Sequence, residues 1–134
     1  MNQSEYEDVK ITCVEDCGNS PKMSLLKAFH IAFARNDSDF ILDNITDSIS
    51  WDIIGQKRIL GKENFLTELQ QIAQINMTEL HISNIITHGK TGSANGMFRL
   101  KNNKSYAFCD IYTFSSASKK AKIKEITSYV IEVD

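Results

Sequence analysis

The chain has 134 residues, 42% of them hydrophobic and 24% charged, the balance of one globular domain rather than a disordered segment. Fifteen Lys and Arg against seventeen Asp and Glu give a net charge of -2, a poor match for duplex nucleic acid or an anionic membrane surface. No apolar run approaches the ~18 residues that cross a bilayer, and the acidic stretch Glu5 to Asp8 lacks the apolar centre of a secretory signal, so a cytoplasmic protein with no membrane partner is expected.

Residues 1–19 read as an extension ahead of a domain spanning 20–134. Within the extension, Val9 to Val14 alternates as a short edge strand, and Asp16-Cys17-Gly18-Asn19 breaks it with turn-forming residues. Cys13 and Cys17 have the wrong spacing for a redox Cys-x-x-Cys or a zinc knuckle. No metal and no cofactor is expected, and Cys109 reads as a small buried hydrophobe among reduced thiols.

Ser20-Pro21 reads as a helix start, Ser as the cap and Pro at the first helical position. Leu26, Phe29 and Phe33, flanked by Met23, Leu25 and Ala32, carry an apolar stripe to about Asn36. His30 and His81 read as surface residues. Ser38 is expected to cap a short second helix holding Phe40, Ile41, Leu42 and Ile45. Ser48 to Ile54 reads as a strand stopped by Gly55, and Arg58 to Leu60 as its return to Gly61. A third helix is expected from about Lys62 to Ile75, with Phe65, Leu66, Leu69, Ile72 and Ala73 on one face.

Beyond it the period changes to two. Leu80 to His88, Ser93 to Leu100, Ser105 to Ser115 and Ile123 to Val133 are four strands, joined by Gly89 to Gly92, by Asn102-Asn103 and by a longer basic link. Lys119, Lys120, Lys122 and Lys124 in and after that link read as a solvated turn, not a nucleic-acid patch. Helices first and antiparallel strands last predict an α+β fold, three helices segregated to one face of a curved, mainly antiparallel sheet.

One strand carries the chemistry. Tyr106, Phe108, Asp110, Tyr112 and Phe114 share one face of Ser105 to Ser115, and a row this aromatic must face something apolar. A carboxyl in its midst is desolvated, which raises its pKa, so Asp110 must find donors or keep its proton and donate. It either lines a pocket, where a protonated acid can stabilise a developing oxyanion, or hydrogen-bonds within the core. Asp52 alternates with Trp51, so Trp51 facing the core turns Asp52 to solvent. His88, read in phase with Leu80, Ile82, Asn84 and Ile86, could pair with an acid at a pocket mouth or lie half-exposed at its strand end. Cys109, Ile111 and Thr113, with Ile126, Ser128 and Val130 assigned beside them, form an opposite sheet face too apolar to be left wet.

Asn36-Asp37-Ser38-Asp39, Trp51-Asp52-Ile53-Ile54-Gly55, Gly61-Lys62-Glu63 and Cys109 to Phe114 occur in an order and spacing that resembles the nuclear-transport-factor-2-like (NTF2-like) superfamily. Within it the chain looks most like the SnoaL-like and ketosteroid-isomerase-like branch. The resemblance implies a cone with an apolar pocket at its wide end, and a homodimer through the convex sheet face. It implies Asp52 as the carboxylate that moves a proton and Asp110 as the acid that donates to a substrate oxygen, a pairing the ketosteroid isomerases exemplify. Phe29 stands where those isomerases carry a tyrosine hydroxyl, so steroid isomerisation by the same route is not expected. The expected function is a small-molecule pocket protein that binds a hydrophobic ligand. If catalytic, it is a cofactor-independent acid/base enzyme of isomerase, cyclase or dehydratase type on a carbonyl-bearing substrate. Asp52 and Asp110 would be its catalytic pair, and Phe29, Trp51, Tyr106, Phe108, Tyr112 and His88 would contact the substrate. The alternative is a non-catalytic hydrophobic-ligand-binding or protein-interaction module.

Overall fold

A computed structural model describes residues 9–14 and 20–133. Cys17 and the turn expected around it lie outside the described residues. Cys13 is disulfide-bonded, where reduced thiols were expected. In chain order the elements are β1 (Lys10–Cys13), α1 (Pro21–Ala34), α2 (Ser38–Asp43), β2 (Ile45–Ile53), β3 (Lys57–Leu60), α3 (Lys62–Ile72), β4 (Met77–His88), β5 (Thr91–Leu100), β6 (Ser105–Phe114) and β7 (Ile123–Val133). The fold is α+β, with three helices and a seven-stranded mixed sheet in the order β1-β4-β5-β6-β7-β2-β3. β1 runs parallel to β4 and β2 parallel to β7; the other pairs are antiparallel.

Local chemistry sets the helix ends. Ser20 accepts the Met23 N–H at 3.3 Å and Pro21 opens α1, as its sequence suggests. Asn36 at φ 59° ends that helix, with the Asp37 N–H returned to the Ala32 carbonyl at 2.8 Å. Asp37, not Ser38, caps α2, its carboxylate accepting the Phe40 N–H at 3.2 Å. Ile45, read as helical, instead begins β2, and β2 pairs with β7 from that residue. α3 stops at Ile72 rather than Ile75, and buries Phe65 and Leu69.

Register shifts interrupt the pairing of the long strands. One lies between Ile82 and Asn84 of β4, so Leu80 and Ile82 point inward, and after the extra residue Ile85 does. Gly96 of β5 faces this bulge, where a Cβ would collide with the His81 carbonyl oxygen, so only glycine lets the two backbones approach. Leu26, Phe29 and Ala32 of α1, Phe65 and Leu69 of α3, and the inward residues of β2 and β4–β7 form one buried core. Gly96→Ala should therefore lower stability by at least about 2 kcal/mol, because backbone rather than a flexible side chain would have to move. A urea midpoint equal to wild type would show that the bulge yields instead.

Candidate functional site

A half-open cavity of about 410 Å³ lies between α1, α3 and the inner face of the sheet. Its wall is mainly apolar: Phe29 and Phe33 from α1, Trp51 from β2, Phe98 from β5, Tyr106, Phe108 and Tyr112 from β6, and Ile126 and Val130 from β7 are among its residues. Aromatic contacts brace this wall. Phe29 meets Phe33 and Tyr112 edge-on at 5.4 and 6.0 Å, and Trp51 stacks on Phe65 at 4.9 Å.

The polar groups converge on Asp110. Alternation along β6 turns Tyr106, Phe108, Asp110 and Tyr112 to the cavity, and the register sets Ser128 of β7 directly opposite Asp110. The Trp51 indole N–H donates to Ser128 Oγ at 2.9 Å. An indole nitrogen can only donate, so Ser128 accepts from Trp51 and keeps its own proton for Asp110, with which it is hydrogen-bonded. Tyr112 Oη lies 2.6 Å from His30 Nε2 and 3.4 Å from Asp110 Oδ2, and His30 Nε2 is 3.5 Å from the same carboxylate oxygen.

Burial pushes the Asp110 carboxyl up to about 6, against the lowering effect of its bonds from Ser128 and Tyr112. Burial pushes His30 down to about 4. The imidazole is therefore neutral near pH 7 and does not neutralise the acid. Two proton arrangements satisfy the chain. With Asp110 ionised, His30 Nε2–H donates to Tyr112 Oη and Tyr112 donates to Asp110. With Asp110 protonated, the carboxyl donates to Tyr112 and Tyr112 donates to a bare His30 Nε2. The tyrosine hydroxyl thus relays one proton change at Asp110 into a tautomer change at His30.

The structure brings together six of the eight residues singled out from the sequence: Asp110, Phe29, Trp51, Tyr106, Phe108 and Tyr112 all line the cavity. It separates two. Trp51 points inward, so its neighbour Asp52 points out, half-exposed and 3.3 Å from the Arg58 guanidinium across the β2–β3 pair. Asp52 therefore does not share the cavity with Asp110. His88 is exposed at the end of β4 and is not in the cavity wall, because the bulge after Ile82 breaks the phase on which it was placed.

His30 is the residue missed. It is 8% exposed, stacked on Phe108 at 5.0 Å, where a surface position was expected. Its spacing gave a signal: it lies four residues after Leu26 and three before Phe33, on the inward stripe of α1. Ser128 and Val130, with Ile126, were assigned to the outer face. Their partners in the register, Asp110, Phe108 and Tyr112, show that all three face inward. The outer face instead presents Ile86, Met97, Ile111, Tyr129 and Ile131, all substantially exposed, around Cys109. Among the described residues no group of three or more His, Cys, Asp or Glu side chains is arranged to hold a metal ion, and no helix is long and apolar enough to cross a membrane.

Solved structures resemble this fold. An NTF2-like protein of unknown function from Cytophaga hutchinsonii is 25% identical, covering 81% of this chain and 97% of its own, with a TM-score of 0.60. A candidate ketosteroid isomerase from Kribbella flavida is 9% identical over 88% of this chain and 83% of its own, at a TM-score of 0.73. An LEH-like epoxide hydrolase from M. tuberculosis is 17% identical over 83% of each chain, at a TM-score of 0.70. No family model and no curated protein matches the chain. The chain has the NTF2-like fold, as its motif order suggests.

The opposed shifts of Asp110 and His30 make a distinctive pH signature. Asp110, raised on folding from 3.8 to about 6, contributes stability that is full below pH 4 and lost as pH rises through 6. His30, lowered from 6.5 to about 4, contributes stability that is full above pH 6.5 and lost as pH falls through 4. The two slopes offset over the same window. Asp110→Asn removes one of them, so the variant should gain about 3 kcal/mol relative to wild type between pH 4 and 6. Urea unfolding of both proteins across that window checks this; a pH-independent difference would contradict the buried-acid assignment.

Proposed function

We propose that the chain is a small-molecule pocket protein of the SnoaL-like and ketosteroid-isomerase-like class. Its cavity takes a hydrophobic ligand and brings the ligand's polar group to Asp110, Tyr112 and His30. The observation that carries this reading is the hydrogen-bonded cluster of Asp110, Tyr112 and His30 set in a mainly apolar wall. An acid poised near 6 is suited to give or take a proton near neutral pH, and the Tyr112–His30 relay can redistribute that proton. The chemistry this supports is cofactor-independent acid/base catalysis, of isomerase, cyclase or dehydratase type, on a carbonyl-bearing substrate. The solved relatives include structures described as a candidate ketosteroid isomerase, a candidate SnoaL-like polyketide cyclase and an epoxide hydrolase, which is consistent with a small molecule in the cavity.

A second reading, ligand binding without turnover, is favoured by the position of Asp52. A route that moves a proton between two carbon positions while a second acid holds the oxygen needs both acids in one pocket. Among the described residues the acids that line it are Asp110 and Glu68, and Glu68 is held by Lys57 at 3.1 Å.

An apolar bicyclic ketone, 2-tetralone, separates these readings. Binding should change the emission of Trp51, the sole tryptophan and a wall residue, and Val130→Phe should weaken it at least about tenfold by filling the cavity. If Asp110 acts as a base, deuterium exchange beside the carbonyl should accelerate as pH rises through 6 and fall at least about 10²-fold in Asp110→Asn. Binding without accelerated exchange would leave the second reading.

We further propose a homodimer through the outer sheet face. Cross-strand neighbours Met97, Ala107 and Ile131 lie beside Cys109 and Tyr129 and continue to Ile111, an apolar patch of the kind that marks association. Ile131→Glu, at a 66% exposed position, should turn a dimer into a folded monomer in sedimentation velocity. A wild-type chain that sediments as a monomer at micromolar concentration would overturn the interface.

A further inference from the structure

We propose that the cavity selects its ligand by charge: it is built for an apolar molecule bearing a protonated amine, seated on Asp110, and it rejects carboxylates. This rests on the cavity being the ligand site, and is independent of whether a reaction follows.

The wall of the cavity carries few charged groups. Among the described residues its carboxylic acids are Asp110, from β6, and Glu68, from α3. Among the described residues no Lys or Arg lines it. The two basic groups of the β2–β3 hairpin are committed elsewhere. Lys57 grips both Glu68 oxygens, at 3.1 and 3.3 Å, without contributing to the wall, and Arg58 faces Asp52 on the exposed side of the hairpin. His30, the one basic group beside Asp110, is held neutral by burial. With Glu68 paired to Lys57, the cavity presents the charge of Asp110, and among the described residues no cation lines it.

An anionic ligand would enter that field and lose its hydration with nothing to compensate it. A cationic one gains twice. Its ammonium can donate to a desolvated carboxylate, a bond stronger than one between neutral partners. Its positive charge also meets the aromatic side chains of Phe29, Phe33, Trp51, Phe108 and Tyr112, whose ring faces attract cations. A neutral alcohol or ketone is accepted but collects neither gain. The cavity's size suits one compact hydrophobic body with a single polar group.

The groups facing Asp110 set the pH behaviour. His30 comes from α1, Tyr112 lies two residues along β6, Ser128 comes from β7, and Trp51 of β2 reaches it through Ser128, while the neighbouring Cys109 lies on the outer face. Tyr112 and Cys109 are both pushed up and stay protonated near neutral pH. Below about 6 Asp110 itself holds a proton that must leave before an ammonium can dock, so amine affinity should fall about tenfold per pH unit there.

Three probes of one shape test this: 1-adamantanemethylamine, 1-adamantanemethanol and 1-adamantanecarboxylate, titrated by Trp51 emission and by calorimetry. At pH 7.5 the amine should bind at least about tenfold tighter than the alcohol, and the carboxylate at least about tenfold weaker than the alcohol. The amine's advantage should shrink about tenfold at pH 5, and should vanish in Asp110→Asn while alcohol binding persists. The pH series needs no variant and stands if Asp110→Asn does not fold. An alcohol that equals or exceeds the amine at pH 7.5 overturns charge selection and leaves the cavity as a ligand site. A carboxylate that binds tightest overturns it in the same way. Failure of all three to bind overturns the ligand-site reading and this inference with it.

Discussion

The burial of Asp110 without a cation is the constraint on which the interior is organised. A lone carboxylate in an apolar wall is costly, and the protein answers with donors rather than with charge. Trp51 sends its indole proton to Ser128, which frees the serine proton for Asp110. Tyr112 stands between the acid and His30, and His30 is kept neutral by the same burial. Each member is intelligible only with the others: Ser128 without Trp51 could turn its proton elsewhere, and His30 Nε2 without Tyr112 would keep only its 3.5 Å approach to Asp110.

Strand register assembles that network. Asp110 and Ser128 meet because β6 and β7 pair in antiparallel register, and Trp51 reaches Ser128 because β2 lies parallel on the other side of β7. A shift of one residue along β7 would present Thr127 and Tyr129 to the cavity and send Ser128 outside. The β4 bulge acts similarly, switching which residues face the core halfway along the strand. The same geometry that gathers polar groups inside leaves Met97, Ile111, Tyr129 and Ile131 outside, so cavity and outer patch are two faces of one register.

Much of this was legible in the residues. Capping and period placed the helices and long strands to within a few residues, because Ser20-Pro21, the turn glycines and the alternation on β6 are local signals. The aromatic row around Asp110 pointed to a desolvated acid beside a pocket. The errors were of phase. His30 sat one residue from a correctly read stripe, His88 was carried out of phase by an unseen bulge, and Ile126, Ser128 and Val130 were set on the wrong face. Asp52 was drawn inward by the spacing of its motif, although its alternation with Trp51 already turned it outward.

By itself, then, the sequence determined the elements, their order and the one acid that had to be desolvated. Those follow from short-range rules: caps, turn conformations and the period of a single strand. Only the tertiary structure decided the acid's company. Which side chain stands opposite Asp110, whether a second carboxylate joins it, and whether an imidazole lies within reach all depend on how separate elements are aligned. That alignment is set by register, bulges and helix docking across the whole chain. The result is a cavity with one central acid, a neutral histidine and, among the described residues, no cation in its wall.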